Sequence, residues 1–490
     1  MSTVEKDIHS HDAIDVVDHI VEGHSIDYVP PSERYGKPVS LLTYWFSVNA
    51  CALTVSTGAI GIALGASLRN TILAIVLGNL FGTIFMAYHS AQGPKLGLPQ
   101  MIQSRAQFGF YGAILPNLLV IVTLVGYVIV FGVIGGEAVA GLVHTSTAGG
   151  IAIFNLVLWA VVAFGYKAIH RLNAVMAVVS VAVMTILVVQ ISDRLGSSHY
   201  HPTFNTFGTF LLIVSICVSW QVTYAPLVSE FSRYLPEKTP TYKTVVYTYV
   251  GSAVGAIMFM TIGAMAGAED LNGVSGDTAN YLAGLIPLPR SIAFLVLALA
   301  IVAATCENLY GSYTTFMATV SISGTRFSPR ITRAVVTGVI AVGSGFVEVA
   351  VSSNFITNLT NFLSFVLYLL IPWTAINLVD YYVIRKGKYL IADILNRDGR
   401  YGLVSWTALA IYVVAVAVQI PFMDSTIYEG PIAAHWLGGG DIAWIAGLAV
   451  GGFLYWLVAR TRVPAVVPVA KAESVQPSVA VIEPKLVDAE

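Results

Sequence analysis

Ile292-Ala293-Phe294-Leu295-Val296-Leu297-Ala298-Leu299-Ala300-Ile301-Val302 leads, three residues on, into Thr305-Cys306-Glu307-Asn308-Leu309-Tyr310-Gly311-Ser312. Both runs belong to one hydrophobic segment, residues 291–320. A spanning helix needs about 20 mostly apolar residues, so the first run reaches deep into lipid. A carboxylate and an amide then arrive side by side, followed by a glycine. The pattern reads as a polar break in the middle of a span. An ionisable side chain at the bilayer centre costs about 2.5–3.5 kcal/mol on insertion scales. Such a group faces a water-filled or protein-lined cavity. The segment therefore predicts a polytopic membrane protein built around an internal polar site.

Composition agrees. Of 490 residues, 56% are hydrophobic and 11% charged, against about 25% charged in soluble domains. A net charge of −2 with no basic patch points to no nucleic-acid partner. Cys51, Cys217 and Cys306 all fall in hydrophobic segments. Their spacing fits neither a zinc site nor a disulfide frame, and they read as small buried residues. There is no HExxH, no P-loop and no nucleophile–base signature. Neither an enzyme nor an ATP-driven pump is expected, and no cofactor or metal. No filter loop or ring of charges suggests a channel.

Twelve spans are expected, near 39–66, 70–91, 111–142, 150–166, 172–192, 206–234, 243–268, 290–320, 331–348, 354–384, 403–421 and 440–459. With the N-terminus placed in the cytoplasm, 22 of the 25 Lys and Arg fall in inner loops or tails. Only Arg69, Arg194 and Arg290 fall outside. The positive-inside rule supports that orientation, with both termini cytoplasmic. The expected organisation is a polar cytoplasmic tail over 1–36, a core of ten spans over 37–386, two further spans over 387–460, and a disordered cytoplasmic tail over 461–490. No secretory signal opens the chain. The first tail carries His9, His11, His19 and His24 at spacings that match no metal motif. Prolines in the last exclude a regular helix.

Two spans look interrupted. Span 1 contains Trp45-Phe46-Ser47-Val48-Asn49-Ala50-Cys51, and span 6 contains Ser219-Trp220-Gln221-Val222-Thr223-Tyr224-Ala225-Pro226. Span 6 opens a second set of five. Broken segments at corresponding places in two halves point to an inverted repeat with a midplane site. The loop 93–109, rich in Gly and Pro at its start, reads as a short re-entrant or interfacial helix or a plain connector. Glu137 and Glu348, near the outer ends of spans 3 and 9, read as interfacial. Glu230 with Arg233 and Lys238 reads as an inner gate or a helix-end ion pair.

These pieces resemble the nucleobase–cation symporter family, in its purine/cytosine permease branch. The residues that carry the resemblance are Trp45-Phe46-Ser47-Val48-Asn49, Gln103-Ser104-Arg105 before Phe108-Gly109, Gly126-Tyr127, Gly135-Gly136, Glu230 to Pro236, Asn308-Leu309-Tyr310 and Asp380-Tyr381-Tyr382. The resemblance implies an all-α, five-plus-five inverted repeat of the leucine-transporter type with two added C-terminal helices. It implies uptake of a flat nitrogen heterocycle across a cell membrane with a proton or sodium ion, and no obligate protein partner. Aromatics on spans 3 and 6 would sandwich the ring. These map to Tyr127 and to Trp220 or Tyr224. An amide position on span 3 falls on Phe131, an apolar departure. The span 8 amide falls on Asn308.

A planar base has two stackable faces and a rim of donors and acceptors; stacking on an aromatic is worth about 1–3 kcal/mol per base. Asn and Gln suit the rim because each offers a donor and an acceptor. Asn308 and Gln221 are the first choices, with Asn49 and Ser312 behind them. Backbone positions for sodium in relatives map to Ser47, Ala50 and Ala303, and the hydroxyl positions to Cys306 and Glu307. A thiol is a poor ligand for a hard cation, although Thr305 lies one residue away. A carboxyl shut away from water favours its neutral form. Glu307 is therefore expected to carry a coupling proton; the rival reading keeps it ionised in a sodium site. The ligand is expected to be a purine or a cytosine-type base, or else hydantoin, allantoin, uracil or a vitamin.

Overall fold

The structure is a computed structural model that describes residues 28–164, 166–195, 200–320 and 329–462. The histidines of the first tail and most of the proline-containing C-terminal tail lie outside the described residues. Fifteen helices are used below. They are α1 (Val39–Val48), α2 (Ala52–Ala63), α3 (Leu68–Ser90), α4 (Ile114–Val143) and α5 (Thr147–Phe164). Next come α6 (Tyr166–Leu195), α7 (Phe207–Val222), α8 (Val228–Ser232), α9 (Thr241–Gly276) and α10 (Thr278–Leu285). The last are α11 (Arg290–Val320), α12 (Pro329–Val351), α13 (Phe355–Leu378), α14 (Trp406–Gln419) and α15 (Ala443–Arg462). Among the described residues there is no strand, only one isolated bridge, Asp424 to Glu429.

Among the described residues, seven helical stretches are long and apolar enough to cross a membrane, or eight when α1 and α2 count as one bent span. One of them, Ile331–Ile384, runs through both α12 and α13. Three shorter apolar helices, Thr147–Ala163, Phe207–Val222 and Trp406–Phe422, accompany them.

The two interruptions are real. α1 and α2 meet at 62°, where Cys51 leaves the helical region for extended backbone. α7 ends at Val222 and the chain turns through Thr223–Leu227 before α8. Pro226 within that turn has no N–H to continue a helix. The expected break in α11, by contrast, is absent: it runs from Arg290 to Val320 without interruption. Its polar side chains bond back into their own helix. Thr305 donates to Ile301 O (2.6 Å), Asn308 to Ala304 O (3.0 Å) and Ser312 to Asn308 O (2.8 Å). Such back-bonding satisfies short polar groups without unwinding the backbone.

The packing repeats under a shift of five spans. α2 lies on α9, as α7 lies on α3; α1 touches α6, as α7 touches α13. The pairs α4 with α11, α3 with α9 and α5 with α12 map onto themselves. This exchange of partners is the signature of the expected five-plus-five arrangement. α14 and α15 pack on α13 and on each other.

Lipid gives apolar faces no reason to associate, so close backbone approach matters more. Gly58 of α2 faces the Met260 carbonyl, and a Cβ there would lie 1.9 Å from that oxygen. Gly263 of α9 faces the Val55 carbonyl at the same 1.9 Å. These glycines let α2 and α9 touch backbone to backbone.

The loop after α3 folds as three short helices, Gly93–Leu96, Gln100–Gln103 and Arg105–Phe108. It is tied to the end of α13 by Asp380, which is fully buried. Asp380 accepts from Gln107 Nε2 (2.9 Å), Tyr389 OH (2.7 Å) and Tyr455 OH (3.0 Å), and pairs with Arg385 at 3.0 Å. Glu137 and Glu348 are not interfacial. Glu137 is 6% exposed and accepts from the Ala279 N–H at the start of α10 (3.2 Å). Glu348 is 0% exposed and accepts from Asn155 Nδ2 (2.6 Å). Both were misplaced because α10 covers one and α5 the other, which loop lengths do not reveal.

Candidate functional site

A cavity of about 610 Å³ lies where the two breaks meet the middle of α11. Helical spacing decides which side chains reach it. On α11 the lining stripe is Ala300, Ala303, Ala304, Glu307, Asn308 and Gly311, the i, i+3, i+4 rhythm of one face. Leu124, Tyr127 and Phe131 line it from α4, and Trp220, Thr223 and Tyr224 from the end of α7 and its turn. α1 and its break add Tyr44, Ser47, Ala50 and Cys51. The cavity continues past Phe231 and Tyr234 to Met101, Ile102 and Ala318. It thus extends toward the end of the bundle that holds the three short helices.

The structure brings together Tyr127, Phe131, Trp220, Tyr224, Asn308, Glu307, Ser47, Ala50 and Ala303. It does not bring Gln221, Asn49, Ser312 or Thr305 to the cavity. Thr305 and Ser312 are seven apart, two turns along the far face of α11, and both are 0% exposed. Gln221 is rotated off the Trp220–Tyr224 face. It donates to Asn79 Oδ1 (2.8 Å) and accepts from Ser252 Oγ (2.6 Å). Asn49 spends its amide on structure. Its Nδ2 donates to Trp45 O (2.7 Å), and its Oδ1 accepts from Trp220 Nε1 (2.8 Å). Asn49 therefore holds the α1–α2 break against the aromatic at the end of α7.

The aromatics form no parallel sandwich. The Tyr127 and Trp220 rings are 6.3 Å apart and nearly perpendicular, at 83°. Trp220 and Tyr224 meet edge-on at 6.1 Å. The Tyr127 hydroxyl lies 2.8 Å from Thr223 Oγ1, which donates to Trp220 O (2.7 Å). Edge-to-face contacts of this kind suit aromatic quadrupoles.

Glu307 joins three elements. Its Oε2 accepts from Tyr44 OH of α1 (3.2 Å), and its Oε1 from Asn173 Nδ2 of α6 (2.7 Å). Among the described residues these two partners are neutral donors. Sequence reading missed both. Tyr44 sits in a Tyr-Trp-Phe run that looks like an interfacial belt, and Asn173 follows the basic residues Lys167 and Arg171. The available signal was the stripe Asn173, Met176, Ala177, Ser180, which lines the cavity at helical spacing. Glu230 also reaches the cavity and lies 3.6 Å from Arg233.

A bent α1–α2 pair, a broken α7–α8 pair and a cavity between them define a polytopic carrier of the leucine-transporter type. The family model for permeases for cytosine/purines, uracil, thiamine and allantoin matches residues 28–447, and the chain belongs to that family. Its members are permeases, not enzymes. The chain is 38% identical over 449 residues to the putative purine-cytosine permease YxlA of Bacillus subtilis (strain 168), covering 90% of this chain and 96% of that protein. It is 27% identical to the purine-cytosine permease fcyB of Emericella nidulans, covering 89% and 87%. Among solved structures, the inward facing conformation of Mhp1 is similar at a TM-score of 0.71 and 19% identity, covering 89% of this chain and 93% of that one. Mhp1, a nucleobase-cation-symport-1 family transporter, in a closed conformation with bromovinylhydantoin bound gives 0.69 at 19% identity, covering 90% and 95%.

Proposed function

We propose that this permease is a secondary active importer of a purine or cytosine-type base, coupled to a cation, and that the cation is a proton carried by Glu307. The observation that carries the proposal is the position of Glu307: a cavity-lining carboxyl at the centre of α11, bridged to α1 and α6 by two donors that are both neutral. Protonation removes the cost of its charge in lipid and weakens its hold on Tyr44 and Asn173. That links proton loading to the contact between α1, α6 and α11.

Sodium fits the chain's donors less well. The place of one ligating hydroxyl is taken by Cys306, whose thiol suits hard cations poorly. The Thr305 hydroxyl donates to Ile301 O on the far face of α11. Ser47, Ala50 and Ala303 still border the cavity, but backbone carbonyls alone make an incomplete cage. With basic loops on the cytoplasmic side of the plasma or inner membrane and both termini there, the cavity faces the cytoplasm. Residues 37–386 then form the transport core, and the two further spans of 387–460 flank it.

Phe131 in place of an amide supports a second reading, in which the ring is a hydantoin, allantoin, uracil or a vitamin. One relative is named a hydantoin permease, 23% identical over 441 residues. A thermal-unfolding screen of the purified protein against nucleobases, hydantoins and vitamins, with and without sodium, separates these readings. A ligand that binds only the folded state stabilises it by mass action. Stabilisation by bases, unchanged by sodium, is the expected result; stabilisation by hydantoins alone, or only with sodium, overturns it.

A further inference from the structure

We infer that Glu137 of α4 and Asp277, at the start of α10, share one proton, and that this shared proton latches α10 shut over the outer side of the cavity. The inference stands apart from the proposed function, since neither a base nor Glu307 enters it. On α4 the cavity lining ends at Phe131, and among the lining residues none comes from α2 or α10. Glu137 lies six residues beyond Phe131, about 9 Å farther out along the helix. There α10 packs on α2, α4, α6, α9 and α11 at once. Its Ala279, Leu282 and Ala283 are at most 1% exposed, so α10 covers that side as a lid.

The first turn of the lid is pinned by carboxyls. Glu137, 6% exposed, accepts from the Ala279 N–H at 3.2 Å. Asp277 caps the same turn, accepting from the Asn280 N–H at 2.8 Å. Its carboxyl lies within hydrogen-bonding reach of that of Glu137. Thr278 ties the turn to α2, its Oγ1 3.4 Å from Ser56 Oγ. Two carboxylates sharing one site do not both ionise, and one proton between them replaces repulsion with a charge-assisted hydrogen bond. The other ionisable groups at this end are engaged elsewhere. Glu269 and Asp270 of α9 accept from Tyr281 OH (2.7 Å) and the Gly273 N–H (2.9 Å), and Arg290 of α11 donates to Asn280 Oδ1 (2.7 Å). α12 brings Glu348, bonded to Asn155, and α13 brings Tyr368, bonded to Asp441. Asp193 and Arg194 of α6 and His144 after α4 are exposed, and α2 and α5 carry no ionisable side chain. Among the described residues, the charge that acts on Glu137 is that of Asp277. Lifting α10 exposes both carboxyls to water, where each ionises at neutral pH. Opening thus releases one proton outward, and acid outside favours the closed lid by up to about tenfold per pH unit.

The test is labelling of the full-length protein in proteoliposomes by a membrane-impermeant maleimide. The probe is Ala283→Cys, on the covered face of α10. Its rate is taken relative to Ser146→Cys in the exposed turn after α4, which corrects for thiol ionisation, and the labelling of the chain without either cysteine is subtracted. Glu307→Gln is carried throughout, so that carboxyl does not titrate. From about pH 8 to about pH 6 the relative rate is expected to fall by at least about tenfold. Glu137→Gln, whose amide donates to Asp277 as the protonated acid does, is expected to label slowly at both. Asp277→Asn keeps the helix cap and donates in the other direction. It is expected to give the same flat profile, and it serves if the glutamine variant fails to fold. A flat profile with Glu137 and Asp277 intact overturns the inference, as does an unchanged pH dependence in either folded variant.

Discussion

Replacing Asn49 by alanine removes two short hydrogen bonds, besides a long one to Ser252 Oγ (3.5 Å), and none of them goes to a ligand. One runs to Trp45 O at 2.7 Å and spans the end of α1; the other receives the Trp220 indole N–H at 2.8 Å. Asn49 is 0% and Trp220 1% exposed, so water does not replace either partner. Interhelical hydrogen bonds in membranes average only about 0.6 kcal/mol, because the unfolded chain in lipid also finds partners. A buried donor left without any partner costs about 1–3 kcal/mol. The second effect dominates here, since the indole N–H has nowhere else to turn. The expected loss is about 2 kcal/mol, with a lower unfolding temperature in detergent. Trp220→Phe removes the same N–H from the other side. If the two act through one bond, the double variant is less destabilised than the sum, by about 0.5–3 kcal/mol of coupling. Additivity within about 0.5 kcal/mol would refute the claim that Asn49 locks the two breaks together.

Asp380→Ala leaves Arg385 buried without its carboxylate. Breaking such a pair costs about 3–5 kcal/mol, and Asp380→Leu with Arg385→Leu should restore part of it in thermal unfolding. Gly58→Ala drives a methyl toward the Met260 carbonyl, 1.9 Å from the ideal Cβ position. It should lower the unfolding temperature, whereas Gly343→Ala, with nothing within 4 Å, should leave it equal or higher because alanine favours helix by about 1 kcal/mol. Asp441, in the loop before α15, is held up at about 6, first by burial. Burial, with the charges of Glu429 and Asp441, likewise raises Asp424 to about 6. The folded protein then binds more protons than the unfolded chain between about pH 4 and 6. Their contribution to stability is complete below that window and lost as pH rises through 6. The unfolding temperature should be higher at pH 5 than at pH 7, with a smaller difference in Asp441→Asn; an identical difference would count against the assignment.

Much of the fold was legible because lipid imposes simple rules. Apolar length marks spans, and Pro226 and the polar run around Asn49 mark breaks. That Glu307 and Asn308 line the cavity was legible for a related reason: a carboxyl and an amide in mid-membrane need a polar surrounding. The angular facts were not. Gln221 and Trp220 are neighbours in sequence, yet one turns to Asn79 and the other to the cavity. Composition cannot tell a polar residue that serves a ligand from one whose bonds are spent inside the protein: Asn49 is tied to Trp220 on another helix, and Thr305 and Ser312 to carbonyls of their own helix. Continuity of α11 was hidden too, since its polar residues back-bond to their own carbonyls. Tyr44 and Asn173 escaped notice because their importance comes from a partner more than a hundred residues away.

The central claim is that Glu307 carries the coupled proton. It is tested in proteoliposomes holding the full-length protein, with uptake of a labelled base driven by an inward pH gradient. Glu307→Gln should lose accumulation against the gradient yet still exchange internal for external base. Uphill uptake that survives unchanged in that variant would contradict the account.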